Sequence, residues 1–197
     1  MSVKRVFHLY YLLLFPIFRL LFPVRFRHRE RLPQGPMVLC APHSSYLDPV
    51  FMMYLLGWDR PPRFMAKREL MDTPVLGTLL RWMGTFGVDR GRADMSAIRS
   101  AIGILRAGGI VGIFPEGTRV REEQADQSVK TGAILLASHT GAPLVPVYLP
   151  RNKRPFRRTE VVVGEPYTVP RLRGGSGALE PYAAELMARI YALKDGD

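Results

Sequence analysis

Short apolar runs alternate with amphipathic stretches along most of the 197-residue chain. The apolar runs have the length of buried strands, and apolar residues spaced three or four positions apart predict helices between them. The predicted strands are 24–31, 37–41, 63–66, 85–89, 110–114, 144–149 and one or two within 160–169. The predicted helices are 48–56, 67–71, 74–83, 95–107, 129–140 and 179–193. This alternation predicts a single α/β domain with a largely parallel sheet flanked by helices.

One predicted helix has unusually clear ends. Asp94 is expected to cap its first turn, and Gly108 with Gly109 is expected to end it. Its apolar stripe is predicted to contain Met95, Ile98, Ile102 and Leu105.

The first 24 residues differ from the remainder of the chain, 25–197, because they form one long apolar segment. Its uncharged part ends before Arg19, and as a helix from Val6 to Phe18 it would span only about 20 Å, short of the ~30 Å hydrocarbon core. Pro16 would also disturb a straight helix. We predict a membrane-associated kinked helix, or a short helical pair, lying in one leaflet. A buried soluble helix and a tilted transmembrane span remain alternatives.

The chain is strongly basic. It carries 28 Lys and Arg against 17 Asp and Glu, a net charge of +11, which favours a polyanionic partner. Several basic residues flank the apolar segment, which favours anionic lipid over nucleic acid. They are Lys4, Arg5, Arg25, Arg27, Arg29 and Arg31, with a second group at Lys153, Arg154, Arg157 and Arg158. The one cysteine, Cys40, lies in an apolar strand and is predicted to be a core residue.

Polar residues follow three of the predicted strands, where parallel sheets place functional loops. After strand 37–41, His43 and Asp48 are five positions apart across a strand-to-helix turn. A carboxylate on one imidazole nitrogen leaves the other nitrogen as a proton acceptor. Asp48 is also expected to cap the following helix, with Pro49 as its first residue. No G-x-S-x-G elbow surrounds Ser44 or Ser45, so the base is expected to activate a substrate hydroxyl.

The other two turns carry groups that suit a polar substrate. Arg90 and Arg92 lie beside Gly91, and guanidinium groups bind phosphate in a fork. The third turn, FPEGTR, contains Glu116, Gly117, Thr118 and Arg119. The four histidines are scattered, so no metal site is predicted.

These residues resemble the glycerophospholipid acyltransferases, and in particular the 1-acylglycerol-3-phosphate acyltransferases, from about residue 25 to 166. The H-x4-D block corresponds to His43 and Asp48, the second block to GTFGVDR ending at Arg90, the third to FPEGTR at 114–119 and the fourth to APLVPVYL at 142–149. Residues between the first two blocks also fit the family pattern, namely Lys67, Glu69, Leu70, Pro74 and Gly77. After the third block, Lys130, Gly132 and Ala133 fit it too. The chain departs from the family at Pro42, where asparagine is common, and at Val120, where serine is common.

The resemblance implies transfer of an acyl group from a thioester to the free hydroxyl of lysophosphatidic acid, giving phosphatidic acid. His43 would be the general base, oriented by Asp48. Arg90 and Arg119 would hold the phosphate with help from Lys67, and Glu116, Gly117 and Thr118 would shape the pocket.

No resident cofactor is expected, because acyl-CoA or acyl carrier protein would be the co-substrate. The expected location is the cytoplasmic face of the inner or plasma membrane, on anionic lipid. Two alternatives stay open: another acceptor, such as a lyso-aminolipid or lysophospholipid, and a non-enzymatic basic module that binds membrane or nucleic acid.

Overall fold

The computed structural model describes residues 3–88, 94–117, 129–172 and 176–194. Its strands are β1 Val24–Arg27, β2 Met37–Cys40, β3 Pro62–Lys67, β4 Phe86–Val88, β5 Ile110–Ile113, β6 Leu144–Tyr148 and β7 Thr159–Val163. Its α-helices are α1 Val3–Leu21, α2 Asp48–Leu56, α3 Arg68–Met71, α4 Pro74–Trp82, α5 Met95–Arg106, α6 Gly132–Thr140 and α7 Glu180–Ala192. Short 3-10 turns lie at Arg29–Arg31 and Ser176–Ala178.

The strands form one seven-stranded sheet in the order β1-β7-β6-β2-β5-β3-β4. All neighbouring pairs are parallel except β6 with β7. The carboxyl ends of β2, β3, β4, β5 and β6 therefore meet at one edge of the sheet, where functional loops of α/β proteins lie. The predicted α/β domain with a largely parallel sheet flanked by helices is confirmed.

Both faces of the sheet are buried, as expected for parallel strands covered by helices. Successive side chains of β2 alternate between them: Met37 and Leu39 face α2, whereas Val38 and Cys40 face α5, α6 and α7. Cys40 is a core residue, as predicted, and burial raises the pKa of its thiol.

Helix α1 continues through Pro16 as a single helix, so the prediction of a helical pair is wrong. It is also not a buried helix. Tyr11 and Phe18 pack against the core beside α2, where the Phe18 ring lies 5.2 Å from the Phe51 ring and 4.8 Å from the Tyr54 ring. Its opposite face carries exposed apolar side chains at Leu9, Leu12, Leu13, Ile17 and Leu20. In the described part of the chain, no helix is long and apolar enough to cross a membrane.

The first strand is shorter than predicted. It ends at Arg27 because His28 adopts a left-handed conformation with φ of 57°, which lies outside the β region that a strand requires. The strand lies at an edge of the sheet, as predicted.

Helix α5 confirms one prediction and corrects another. Asp94 is its N-cap and accepts hydrogen bonds from the N–H groups of Ser96 and Ala97. Met95, however, is exposed, because the small residues Ala97 and Ala101 bring a different stripe against the sheet.

Candidate active site

The carboxyl end of β2 is tied to the end of its neighbour β5. The Ala41 N–H donates to the carbonyl of Ile113 at 3.3 Å, and the His43 N–H donates to the Glu116 carboxylate at 2.8 Å. Pro42 has no N–H to donate, so the chain leaves the ladder between these two bonds. The His43 main chain is thus held by the turn that follows β5.

The side chain of His43 is held from two sides. Its Nδ1 lies 2.9 Å from Oδ2 of Asp48, and its ring stacks on Phe114 with centroids 4.2 Å apart. With Nδ1–H donating to the carboxylate, Nε2 is left with its lone pair. His43 and Asp48 are therefore hydrogen-bonded to each other, with Nδ1 rather than Nε2 facing the carboxylate.

Asp48 is fully buried and collects several donors. Oδ2 also accepts from the N–H groups of Ser44 and Ser45, at 2.7 Å each, while Oδ1 lies 2.6 Å from the ammonium of Lys153. Burial alone would raise the pKa of this carboxyl, but the hydrogen bond from His43 and the charge of Lys153 outweigh it, and the pKa lies below its ordinary value. Asp48 is thus held as a carboxylate.

Asp48 does not cap α2, contrary to prediction. The N-cap is Leu47, whose carbonyl accepts from the N–H of Phe51, and Asp48 is the first residue of the helix. Its side chain turns back toward the preceding turn because His43, Ser44 and Ser45 present donors there. Asp48 therefore organises the turn before the helix rather than the first turn of the helix.

Glu116 occupies the facing turn and is also buried. Oε2 accepts from the His43 N–H, whereas Oε1 accepts from the guanidinium of Arg151 at 3.2 Å and from the hydroxyl of Tyr191 at 2.8 Å. Burial and the bond to Glu116 raise the pKa of Tyr191 to about 12, so its hydroxyl remains a donor at neutral pH. Both oxygens of Glu116 are engaged within the protein.

Gly117 closes the same turn in a conformation with φ of 69°. Its N–H donates to the Phe114 carbonyl at 2.9 Å, and a Cβ here would meet the Lys130 side chain at 3.0 Å. Any other residue would therefore be strained.

Of the other predicted site residues, the structure describes Lys67. Lys67 ends β3 at the same edge of the sheet, but its side chain is half-exposed and pairs with Glu69 at 2.9 Å. Arg90, Thr118 and Arg119 lie outside the described residues.

Three residues of this site were not singled out as site residues from the sequence: Arg151, Lys153 and Tyr191. Arg151 and Lys153 follow β6, so their position after a parallel strand was a usable signal. Tyr191 lies in the last turn of α7, where the pattern predicted only an amphipathic helix. Within the described ranges, no group of three or more His, Cys, Asp and Glu side chains could hold a metal ion.

A fold with a histidine–aspartate pair at the carboxyl edge of a parallel sheet is suited to moving protons at a substrate hydroxyl. The acyltransferase family model matches residues 23–150. The chain belongs to the acyltransferase family.

Curated proteins that resemble the chain share one name. A 1-acyl-sn-glycerol-3-phosphate acyltransferase of Bacillus subtilis is 34% identical over an alignment of 152 residues that covers 73% of this chain and 73% of that protein. One of Streptococcus pneumoniae is 34% identical over 113 residues, 56% of this chain and 40% of its own.

The fold has a match among solved structures. The crystal structure of the LPA acyltransferase PlsC from Thermotoga maritima matches with a TM-score of 0.64 at 23% identity, over 98% of this chain and 77% of that one. At 23% identity, the match supports the fold and no further property.

Proposed function

We propose that this enzyme transfers an acyl group from a thioester to the free hydroxyl of 1-acylglycerol-3-phosphate, giving phosphatidic acid. The observation that carries the proposal is the 2.9 Å pairing of His43 with a buried aspartate at the sheet edge. The acceptor is supported by the names of the relatives.

The proposed reaction begins with proton transfer. His43 Nε2 accepts the proton of the acceptor hydroxyl as its oxygen attacks the thioester carbonyl carbon. The tetrahedral intermediate then collapses, the C–S bond breaks, and the leaving thiolate takes the proton from the imidazolium. Asp48 keeps the ring in the productive tautomer and stabilises its positive charge between these two steps.

Acceptor binding is assigned by resemblance to the family. Arg90 and Arg119 hold the phosphate, with Lys67 assisting, and Gly117 and Thr118 shape the pocket. The role proposed for Glu116 is indirect, because its two oxygens are occupied by the His43 N–H, Arg151 and Tyr191. It shapes the pocket by fixing the main chain from which His43 projects.

We propose that the donor is carried by coenzyme A or acyl carrier protein. Both carriers are anionic, and a protein of net charge +11 attracts either one.

We propose further that α1 lies in one leaflet on the cytoplasmic face of the membrane. Leu9, Leu12, Leu13, Ile17 and Leu20 recur at helical spacing on its outer face. Exposed Phe156 joins them, because its N–H donates to the carbonyl of Leu21. Nearby exposed Arg157 and Arg158 suit anionic headgroups.

The reaction is tested with purified protein, lysophosphatidic acid in anionic vesicles, and each acyl donor in turn. We expect phosphatidic acid from the wild type and none from His43→Ala, with His139→Ala, an exposed histidine of α6, retaining activity. An active, folded His43→Ala enzyme would exclude the base. A panel of lyso-aminolipids and lysophospholipids tests the acceptor, and faster turnover of one of these would replace lysophosphatidic acid.

Membrane docking is tested by flotation with phosphatidylglycerol vesicles. Leu12→Gln/Leu20→Gln should leave the protein at the bottom of the gradient, because two exposed leucines lose their burial in lipid. The control, Met95→Gln, changes an exposed apolar residue of α5 on the other side of the sheet. Equal flotation of all three proteins would contradict the assignment of this face.

A further inference from the structure

A lysine lies buried behind the histidine–aspartate pair. Lys153 follows β6, and its side chain is only 2% exposed, unlike its neighbours Asn152 and Arg154, which are exposed. Its ammonium lies 2.6 Å from Asp48 Oδ1 and donates to the hydroxyl of Ser44 at 3.0 Å. It also lies 6.0 Å from the centroid of the Phe51 ring.

This burial distinguishes Lys153 from the nearby basic residues Arg154, Arg157 and Arg158, which are exposed. An ammonium that is 2% exposed cannot meet a substrate phosphate or a lipid headgroup. Burying a charge is strongly unfavourable unless a partner compensates it, and the partner here is the fully buried Asp48. The lysine therefore acts inside the site.

We propose that Lys153 is a positioning residue for the His43–Asp48 pair, whose ammonium holds Asp48 as a carboxylate and offsets part of the negative charge that Asp48 presents to His43. This inference rests on the proposed function, because it assigns His43 the role of general base.

The contacts of the two Asp48 oxygens support this role of Lys153. Oδ2 serves the turn, since it accepts from His43, Ser44 and Ser45, whereas Oδ1 faces Lys153. The same ammonium holds the Ser44 hydroxyl, so the lysine fixes the turn as well as the charge. The lowered pKa of Asp48, to which the charge of Lys153 contributes, agrees with this arrangement.

Charged and titratable groups reach this turn from the elements packed around it. They include His43 in the turn, Glu116 after β5, Arg151 and Lys153 after β6 and Tyr191 on α7. The side chain of Lys130 lies against Gly117 in the facing turn. Arg151 and Tyr191 contact Glu116 instead of Asp48, so they compensate a different carboxylate. Of these groups, Lys153 is the one that places a positive charge against Asp48.

The sign of the effect follows from this geometry. Without the ammonium, the full charge of Asp48 acts on His43 and favours imidazolium, which cannot accept a proton. The acidic limb of the kcat/KM profile, which reports the essential base of the free enzyme, should then move to higher pH.

The test compares Lys153→Met with the wild type and with Arg99→Met, which removes an exposed positive charge from α5. In Lys153→Met, we expect the acidic limb of the kcat/KM profile to move up by about one pH unit. On that limb kcat/KM should fall about tenfold, and it should return toward the wild-type value on the alkaline plateau. Arg99→Met should keep the wild-type profile. A lower plateau with an unmoved limb would mean a purely structural role and would overturn the inference.

A second measurement covers the case in which Lys153→Met does not fold. Lysine acetylation is followed by mass spectrometry in the wild type and in Asp48→Asn, with half-exposed Lys67 as the internal reference. Lys153 should react slowly in the wild type and about tenfold faster in Asp48→Asn, because the amide no longer forms the ion pair that holds the ammonium. If Lys153 reacts as fast as Lys67 in the wild type, or equally slowly in both proteins, the inference is wrong.

The two proposals fail separately. An active His43→Ala enzyme removes the base and the proposed function with it. An inactive His43→Ala combined with an unmoved acidic limb in Lys153→Met removes only the role of Lys153.

Discussion

Two buried carboxylates hold the same histidine in different ways. Asp48 contacts the imidazole ring and is compensated by the ammonium of Lys153, whereas Glu116 contacts the main chain of His43 and is compensated by Arg151 and Tyr191. The carboxylate on the ring orients the imidazole through Nδ1, while the carboxylate on the backbone fixes the main chain from which the ring projects. The comparison separates the electrostatic part of the site from its scaffold.

The largest effect is expected from Asp48→Asn. The amide NH2 can donate to Nδ1 and stabilise the tautomer whose Nε2 carries a proton, which is no longer a base. We expect kcat to fall about 10²- to 10⁴-fold. The control is Asp72→Asn, an exposed aspartate at the end of α3. A kcat close to that of the wild type would show that Asp48 has no part in catalysis.

Glu116→Gln should have a smaller effect on the rate and a clear one on stability. Glutamine has one accepting oxygen, but donors approach both carboxylate oxygens of Glu116, so one side loses its bond. We expect a loss of about 1–3 kcal/mol in the free energy of unfolding, measured by urea titration.

The activity profile of Glu116→Gln completes that comparison. The variant should lower kcat without moving the acidic limb of the pH profile, because it displaces His43 without changing the charge on Asp48. Glu185→Gln, which breaks a half-exposed pair with Arg189, is the matched control. A moved limb in Glu116→Gln would mean that the two carboxylates share one electrostatic role.

Acid titration should distinguish Asp48 from a surface carboxylate. Its folded-state pKa lies below the ordinary value of 3.8, so its ionisation stabilises the fold fully above that value, and the contribution is lost as the pH falls through the lower, folded-state pKa. The difference in free energy of unfolding between wild type and Asp48→Asn should therefore change as the pH falls below 3.8. A difference that stays the same throughout the acid range would contradict this.

The smallest effect is expected from Tyr191→Phe. The hydroxyl donates to Glu116 and accepts from Arg151, and Arg151 still contacts Glu116 without it. We expect a loss of about 1 kcal/mol in thermal or urea unfolding and little change in kcat. Tyr182→Phe on the same helix is the control. A large loss of kcat would place Tyr191 among the residues that hold the reacting groups.

The strands and helices could be predicted because their patterns are local. Each depends on residues two to four positions apart, which is why the order of β2, α2, β5 and α6 was visible in the apolar spacing. The ends of the elements were predicted less accurately. At His28, for example, one left-handed residue stops β1. Met95 was misplaced because spacing alone cannot show which stripe of α5 meets the sheet.

The sequence pattern also did not show which face of α1 packs against the domain and which is exposed. Its apolar residues surround most of the helix, so the pattern did not separate an inner from an outer side. Packing against Phe51 and Tyr54 does so, because it covers Tyr11 and Phe18 and leaves leucines such as Leu12 exposed.

The sequence by itself determined the turn from His43 to Asp48. The partners are five positions apart, and the N–H groups of Ser44 and Ser45 that bind the carboxylate belong to the same turn. Such a unit depends on short-range geometry.

Only the tertiary structure decided what surrounds that turn. Lys153 is 109 positions from Ser44, and Tyr191 is 75 from Glu116. They meet because β6 and β5 flank β2 in the sheet, an order that arises from packing of the whole chain. A lysine in a basic stretch therefore became a buried partner of the aspartate, since burial and compensation are properties of the assembled fold.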